Sequence, residues 1–433
     1  MTVLMKILQL VLVLSILIVF HELGHFLFAR LFGIRVDKFY LFFDVGGRAL
    51  FRFRRGDTEY GIGWLPLGGY CKISGMIDES MDTGYLKNEP QPWEFRSKPA
   101  WQRLLVMAGG VLFNFILAIL VFSGIMAVNG ETSLPNEGNC IFVNGLSYEM
   151  GFRNGDRILS YDGSPVENFY ELQPELVRRR VRRVEVLRDG DTLNLYIDRS
   201  MIGRIFDSPG MFELAMPFVI DSVPPSSVNS GADIRKGDKV LRIGDSGITF
   251  LQDASPLLEE LAGSDVNLSV LRGNDTLSVQ VSVDSSGKMG VYLAGPSFSR
   301  RTYSLAESFP AGWSYTWKTV RNYLSDLRLV ATPGTGAYRS VGSFIAIGQA
   351  MPSSWNWMEF FYMLGLMSIM LGVMNLLPIP GLDGGHIVFT LYEMLTGRKP
   401  SDKFMMAAQA VGMVLLLLLM LLAFGNDIGR LVK

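Results

Sequence analysis

Three ionisable residues stand inside the apolar run ILIVFHELGH (16–25): His21, Glu22 and His25. On a helix, His-Glu-x-x-His puts two imidazoles at i and i+4 on one face, with the glutamate between them. Two such imidazoles can share one zinc ion while the glutamate activates a water. A charged group at the centre of a membrane span costs about 2.5–3.5 kcal/mol on insertion scales, so these groups are expected to face a polar cavity and hold an ion. Metal-free pairing of His21 and Glu22 with other helices is the blander alternative.

Catalytic zinc takes three protein ligands and keeps one position open. The chain has only three histidines, so one remains, His386, in NLLPIPGLDGGH (375–386), where Asp383 also lies. From spacing alone, either residue can complete the set. Pro378, Pro380, Gly381, Gly384 and Gly385 interrupt regular helix there. Irregular backbone at membrane depth is tolerated where it lines a cavity or is buried in protein.

The elements that must carry these groups are membrane spans. Of the 433 residues, 49% are hydrophobic and 19% charged, with a mean hydropathy of +0.26. Apolar runs at about 3–32, 104–128, 360–377 and 405–424 are each near the ~20 residues a spanning helix needs. No small-residue cleavage site follows the first run, which marks a retained span and not a signal peptide. Lys and Arg cluster in 33–103 (Arg52, Arg54, Arg55, Lys72 and Lys87 among them) and in 396–404 (Arg398, Lys399, Lys403). By the positive-inside rule both segments are cytoplasmic, and residues 129–358 and both termini lie outside. A net charge of −1 offers no basic field for nucleic acid. Cys71 and Cys140 are too few for a disulfide scaffold.

The outside segment repeats itself. RNGDRILSYDG (153–163) returns as RKGDKVLRIGD (235–245), and LRDGDTLNLYI (187–197) as LRGNDTLSVQV (271–281). Each copy predicts a turn, a strand, a helix (near 167–180 and 251–262) and a hairpin turning at Asp189-Gly190 or Gly273-Asn274. The R-x-G-D-x-(I/V)-L pattern resembles PDZ domains of bacterial protease-associated kind, which take an extended peptide as an added strand. The domain division expected is 1–130, 131–215 and 216–295 (the two PDZ-like copies), 296–358 (an amphipathic linker) and 359–433. Within the linker, 305–330 has helical spacing and suits either the membrane surface or the underside of the second copy.

HELGH in the first span and N-x-x-P-x-P-x-L-D-G-G-H after the third resemble the site-2 protease family of intramembrane zinc metalloproteases. The tandem copies narrow the resemblance to its bacterial type with two PDZ domains, and it runs over nearly the whole chain. WLPLGGYCKISG (64–75) is similar to the family's re-entrant hairpin, and FRSKPAWQRLLVMAGGVLFN (95–114) to its approach to span two. The resemblance implies a multi-pass α-helical membrane protein of four transmembrane helices. It carries a cytoplasmic or re-entrant β-hairpin (48–75) and two extracytoplasmic α+β PDZ-like domains. It implies one catalytic zinc on His21, His25 and Asp383, with Glu22 as base and His386 outside the ligand set. It also implies Asn375 near the oxyanion or the substrate backbone. Gly68, Gly69, Tyr70, Cys71, Lys72 and Ile73 would form a strand edge for the unwound substrate. Implied substrates are single-pass membrane proteins of anti-sigma-factor type, with peptides or C-termini at the PDZ domains, in a bacterial inner membrane. One departure is Gly109-Gly110 in place of Gly-Pro, expected to loosen the helix start without touching the chemistry. The rival readings are a membrane-anchored peptide-binding scaffold with a non-catalytic metal site, and a metal transporter.

Overall fold

The computed structural model describes residues 2–66, 68–76, 89–206, 208 and 210–432. Leu67 of the 64–75 stretch and Lys87 of the basic set lie outside the described residues. The chain divides into two units, one of residues 1–130 and 302–433, the other of residues 131–301.

Among the described residues, four helices of the first unit are long and apolar enough to cross a membrane: α1 (Thr2–Leu31), α2 (Ala100–Asn129), α9 (Trp357–Leu376) and α11 (Asp402–Val432). Leu, Val, Ile and Phe dominate all four, and their packing builds the core of this unit. Val13 and Leu17 of α1 meet Leu117 of α2 and Phe360, Leu364 and Met367 of α9. The polar residues that interrupt the first apolar run, Lys6 and Gln9, have partners near its N-terminal end. Lys6 donates to the Gln349 carbonyl at 2.6 Å, and Gln9 to the Pro352 carbonyl at 3.0 Å.

The hairpin expected over 48–75 is part of something larger. β2 (Ala49–Arg55) and β3 (Thr58–Gly63) turn at Gly56, but β1 (Val36–Leu41) and β4 (Tyr70–Ile73) join them in a four-stranded sheet of order β2-β3-β1-β4. β1 runs parallel to β3 and antiparallel to β4, with Phe39 opposite Cys71. Asp44 holds the β4 edge in place, accepting the Tyr70 hydroxyl at 2.7 Å and the Lys38 ammonium at 2.8 Å. The short run VDKFYL of β1 has too little alternation to announce a strand, and its pairing partners decide it.

Two further helices follow from packing. α7 (Leu305–Val330) begins in a capping box between Ser304 and Glu307, as its sequence suggests. Its small face, Ser308, Gly312 and Thr316, is buried, and Gly312 lies directly on Ser123 of α2. Small residues let helix backbones approach closely, while Phe309, Trp313 and Trp317 of this helix stay exposed. Val320 then reaches the cluster of Ala118, Phe122, Ile369 and Val373. α8 (Phe344–Ala350) is capped from another helix: Asp427 of α11 accepts from the Ser343 N–H at 2.8 Å and the Ala346 N–H at 3.1 Å. α10 (Asp383–Thr396) is a helix the sequence reading passed over as a connection.

In the second unit the repeat is a repeat of structure. Strands β7 (Arg157–Tyr161), β8 (Ser164–Pro165), β9 (Arg183–Arg188) and β10 (Asp191–Tyr196) form a sheet of order β10-β9-β7-β8. Strands β13 (Lys239–Ile243), β14 (Ser246–Gly247), β15 (Asp265–Arg272) and β16 (Asp275–Ser282) repeat it as β16-β15-β13-β14. Helices α3 (Gly145–Glu149), α4 (Leu172–Arg178) and α5 (Ile202–Phe206) belong to the first copy, and α6 (Leu251–Glu260) to the second. Each copy is closed by a pair of short strands, β6 (Ile141–Val143) with β11 (Phe212–Leu214), and β12 (Ile220–Ser222) with β17 (Tyr292–Leu293). β5 (Glu131–Ser133) pairs with β18 (Ser299–Arg301) where the chain enters and leaves the unit.

The R-x-G-D turns have a common physical reason. Asp156 and Asp238 are fully buried, and each takes a two-pronged bond from an arginine of the hairpin, Arg188 or Arg272, at 2.7–2.8 Å. The bonds from Arg272 hold the Asp238 carboxyl below its usual range. A depressed carboxyl contributes stability above its unfolded value that is lost as pH falls, here below about pH 4. Protection of the 239–282 amides from hydrogen exchange, relative to the intrinsic rate at each pH, should therefore fall in acid, and Arg272→Leu should move that transition to higher pH. An unchanged transition would show that the pair does not hold the copy together.

Candidate functional site

α1 delivers the first three groups. One turn of helix separates His21 from His25, and both rings are buried. The fourth group comes from the far end of the chain. α9 stops at Leu376, since Pro378 and Pro380 cannot continue it. The chain then doubles back so closely that a Cβ at Gly384 would lie 2.6 Å from the Leu376 carbonyl. That fold-back starts α10 at Asp383, where a carboxylate suits the positive end of a helix.

His21 Nε2, His25 Nε2 and Asp383 Oδ2 form a nearly equilateral triangle. The nitrogens are 3.3 Å apart, and the oxygen lies 3.3 Å from His21 and 3.4 Å from His25. Among the described residues this is the one His/Cys/Asp/Glu group gathered so that it could hold a metal ion. Tetrahedral zinc with bonds of about 2.0–2.1 Å needs ligand atoms about 3.3–3.4 Å apart. Asp383 Oδ2 is buried without a hydrogen-bond partner, which an ion inside the triangle would supply. The donor set and its spacing therefore fit zinc. His25 Nδ1 lies 2.8 Å from the Val106 carbonyl, so its proton sits there and Nε2 is left for the ion.

The triangle opens on a cavity of about 530 Å³. Glu22, Asn375, His386 and the strand residues Gly69, Tyr70, Cys71, Lys72 and Ile73 line it with the three ligand candidates. Gly68 does not; it packs on the Phe43 ring. Asn375 Nδ2 lies 3.4 Å from His21 Nε2. Glu22 stands outside the triangle, with its carboxylate toward the Cys71 backbone of β4, which lines the same cavity. His386, one turn along α10 from Asp383, borders the cavity without joining the triangle.

Three further residues border the site, two of them, Gly110 and Asn114, within the stretch 95–114 that resembles the family's approach to span two. Gln409 of α11 is buried and lines the cavity, and Asn114 of α2 lies 3.1 Å from His21 Nδ1. Each is an isolated amide in an apolar helix, which is the available signal. The third is Gly110, and here the expectation is corrected: the Gly109-Gly110 pair does touch the site. A Cβ at Gly110 would lie 2.6 Å from His21 Cε1 and collide with His25 Nε2. Gly109 likewise sits on Gly24 of α1. Gly110→Ala should displace both rings, cutting zinc affinity by at least ~10-fold, the scale seen when ligand supports are lost. Zinc titration against a competing chelator checks this, and wild-type affinity would mean the helices part without cost.

A two-histidine, one-carboxylate cluster beside membrane-length helices defines the class: among the described residues, helices long and apolar enough to span a bilayer and a group that could hold a metal ion. The chain belongs to peptidase family M50, whose model matches residues 9–419. A putative zinc metalloprotease of Neisseria meningitidis is 29% identical, over 96% of this chain and 97% of the relative. A putative zinc metalloprotease of Xylella fastidiosa is 30% identical, over 96% of each chain. The regulator of sigma-E protease RseP of Escherichia coli is 27% identical, over 96% of this chain and 97% of the relative.

Proposed function

We propose that this protein is a site-2-type zinc endopeptidase that hydrolyses peptide bonds inside membrane-spanning segments. The observation that carries the reading is the triangle of His21 and His25, on the membrane-length α1, with Asp383 at the start of α10, and Glu22 in the same cavity as strand β4. Its metalloprotease relatives support the zinc. When bound, zinc supplies Lewis acidity to the scissile carbonyl and makes a water a nucleophile near neutral pH. Glu22 takes the proton of that water and delivers it to the leaving nitrogen. The Asn375 amide donates to the oxygen on which charge develops.

A helical substrate hides its carbonyls in its own hydrogen bonds, so it must be drawn out as a strand. β4 is an edge strand of its sheet and lines the cavity, which suits strand addition. The Cys71 backbone, toward which the Glu22 carboxylate lies, then sets the base relative to the bound strand. Cys71→Pro removes its N–H and should cut turnover by about 10-fold or more while zinc stays bound, since the base loses its placement. Normal turnover in that variant would remove β4 from the mechanism.

The repeated copies of residues 131–301 are read as PDZ-like domains outside the membrane, admitting or capturing substrates by their ends. The bacterial inner membrane, periplasmic termini and cytoplasmic 33–103 and 396–404 complete the reading. The substrate class is single-pass membrane proteins of anti-sigma-factor type, with signal-peptide remnants as a second group; the E. coli relative's name supports the first. The test is to reconstitute the full chain with a single-pass protein in liposomes and map the new ends by mass spectrometry. A cut within the span supports the proposal, and a cut only in exposed loops overturns its intramembrane part.

A further inference from the structure

His21 and His25 are held differently. His25 turns Nδ1 to a backbone carbonyl, which fixes its proton. His21 turns Nδ1 to a side chain, Asn114, whose Nδ2 is 3.1 Å away and whose Oδ1 is buried with no partner. Asn114 itself is fully buried, and its carbonyl accepts the Ser368 hydroxyl of α9 at 2.7 Å, so it cannot move away.

A neutral imidazole carries one proton. If Nε2 of His21 binds a metal, that proton must be on Nδ1, and an amide NH₂ cannot accept it. The acceptor needed is Asn114 Oδ1, the atom that lacks a partner. A half-turn of the amide exchanges Nδ2 for Oδ1 in nearly the same shape, makes the bond and satisfies the buried oxygen. We infer that Asn114 is the positioning residue of His21. Its amide turns Oδ1 to the Nδ1–H when Nε2 is committed to metal, which fixes the ring's tautomer and orientation. The inference rests on the zinc site proposed above, and it assigns to α2 a part in building that site.

The test uses the full chain in detergent, ¹⁵N-labelled at histidine. With three histidines in the sequence, single variants assign every ring. In zinc-loaded wild type, His21 should show a metal-shifted Nε2 and a slowly exchanging proton on Nδ1. In Asn114→Leu that proton should exchange freely, and the zinc dissociation constant should rise about 10–100-fold. Asn114→Asp, which keeps an acceptor, should restore both. Should Asn114→Leu not fold, wild type and Asn114→Asp carry the test: a His21 Nδ1 without its proton in zinc-loaded wild type overturns the inference. So does wild-type proton exchange and zinc affinity in Asn114→Leu. A His21 ring untouched by zinc in wild type defeats the site reading itself, which separates that failure from this one.

Discussion

With Glu22 replaced by glutamine, the protein should keep its zinc and lose peptide-bond cleavage by about 10²–10⁴-fold, the range for removing a general base. The substitution is close in shape. Glutamine retains an oxygen toward the Cys71 backbone of β4. It leaves the triangle of His21, His25 and Asp383 intact, because Glu22 contributes no atom to it. What it removes is the capacity to accept a proton. The measurement is paired: zinc per chain, and the rate of cleavage of a reconstituted single-pass substrate. Bound zinc with undiminished cleavage would take the base role from Glu22.

Asp383→Ala should reduce zinc to a small fraction of stoichiometric, and cleavage with it. It leaves two imidazole nitrogens 3.3 Å apart and no anionic donor. Two neutral ligands make a poor zinc site, because catalytic sites use three protein ligands. His386→Ala is the matched control. It removes an imidazole from the same cavity and the same helix, one turn from Asp383, and should leave zinc bound. Metal analysis after dialysis against a mild chelator reads both variants. Full zinc in Asp383→Ala together with loss in His386→Ala would transfer the third ligand to His386.

What the sequence determined is what short-range geometry controls. The i, i+4 spacing of His21 and His25 fixes both rings on one face of any helix that contains them. Runs of some twenty apolar residues suffice to mark four membrane-length helices, and Pro378 and Pro380 suffice to end the third. The R-x-G-D and D-G signals mark the repeat because turns depend on a few neighbouring dihedrals. What the tertiary structure decided is every choice between distant partners. Spacing left Asp383 and His386 as rivals; the fold-back at Gly384 carries the first into the triangle and leaves the second at the cavity wall. β1 became a strand because β3 and β4 flank it, and α7 met α2 through Gly312 and Ser123, small residues outside its exposed aromatic stripe. Asn114, Gly110 and Gln409 acquired their places for the same reason. Where two helices cross depends on the shapes of both surfaces together, and no periodicity within either helix encodes it.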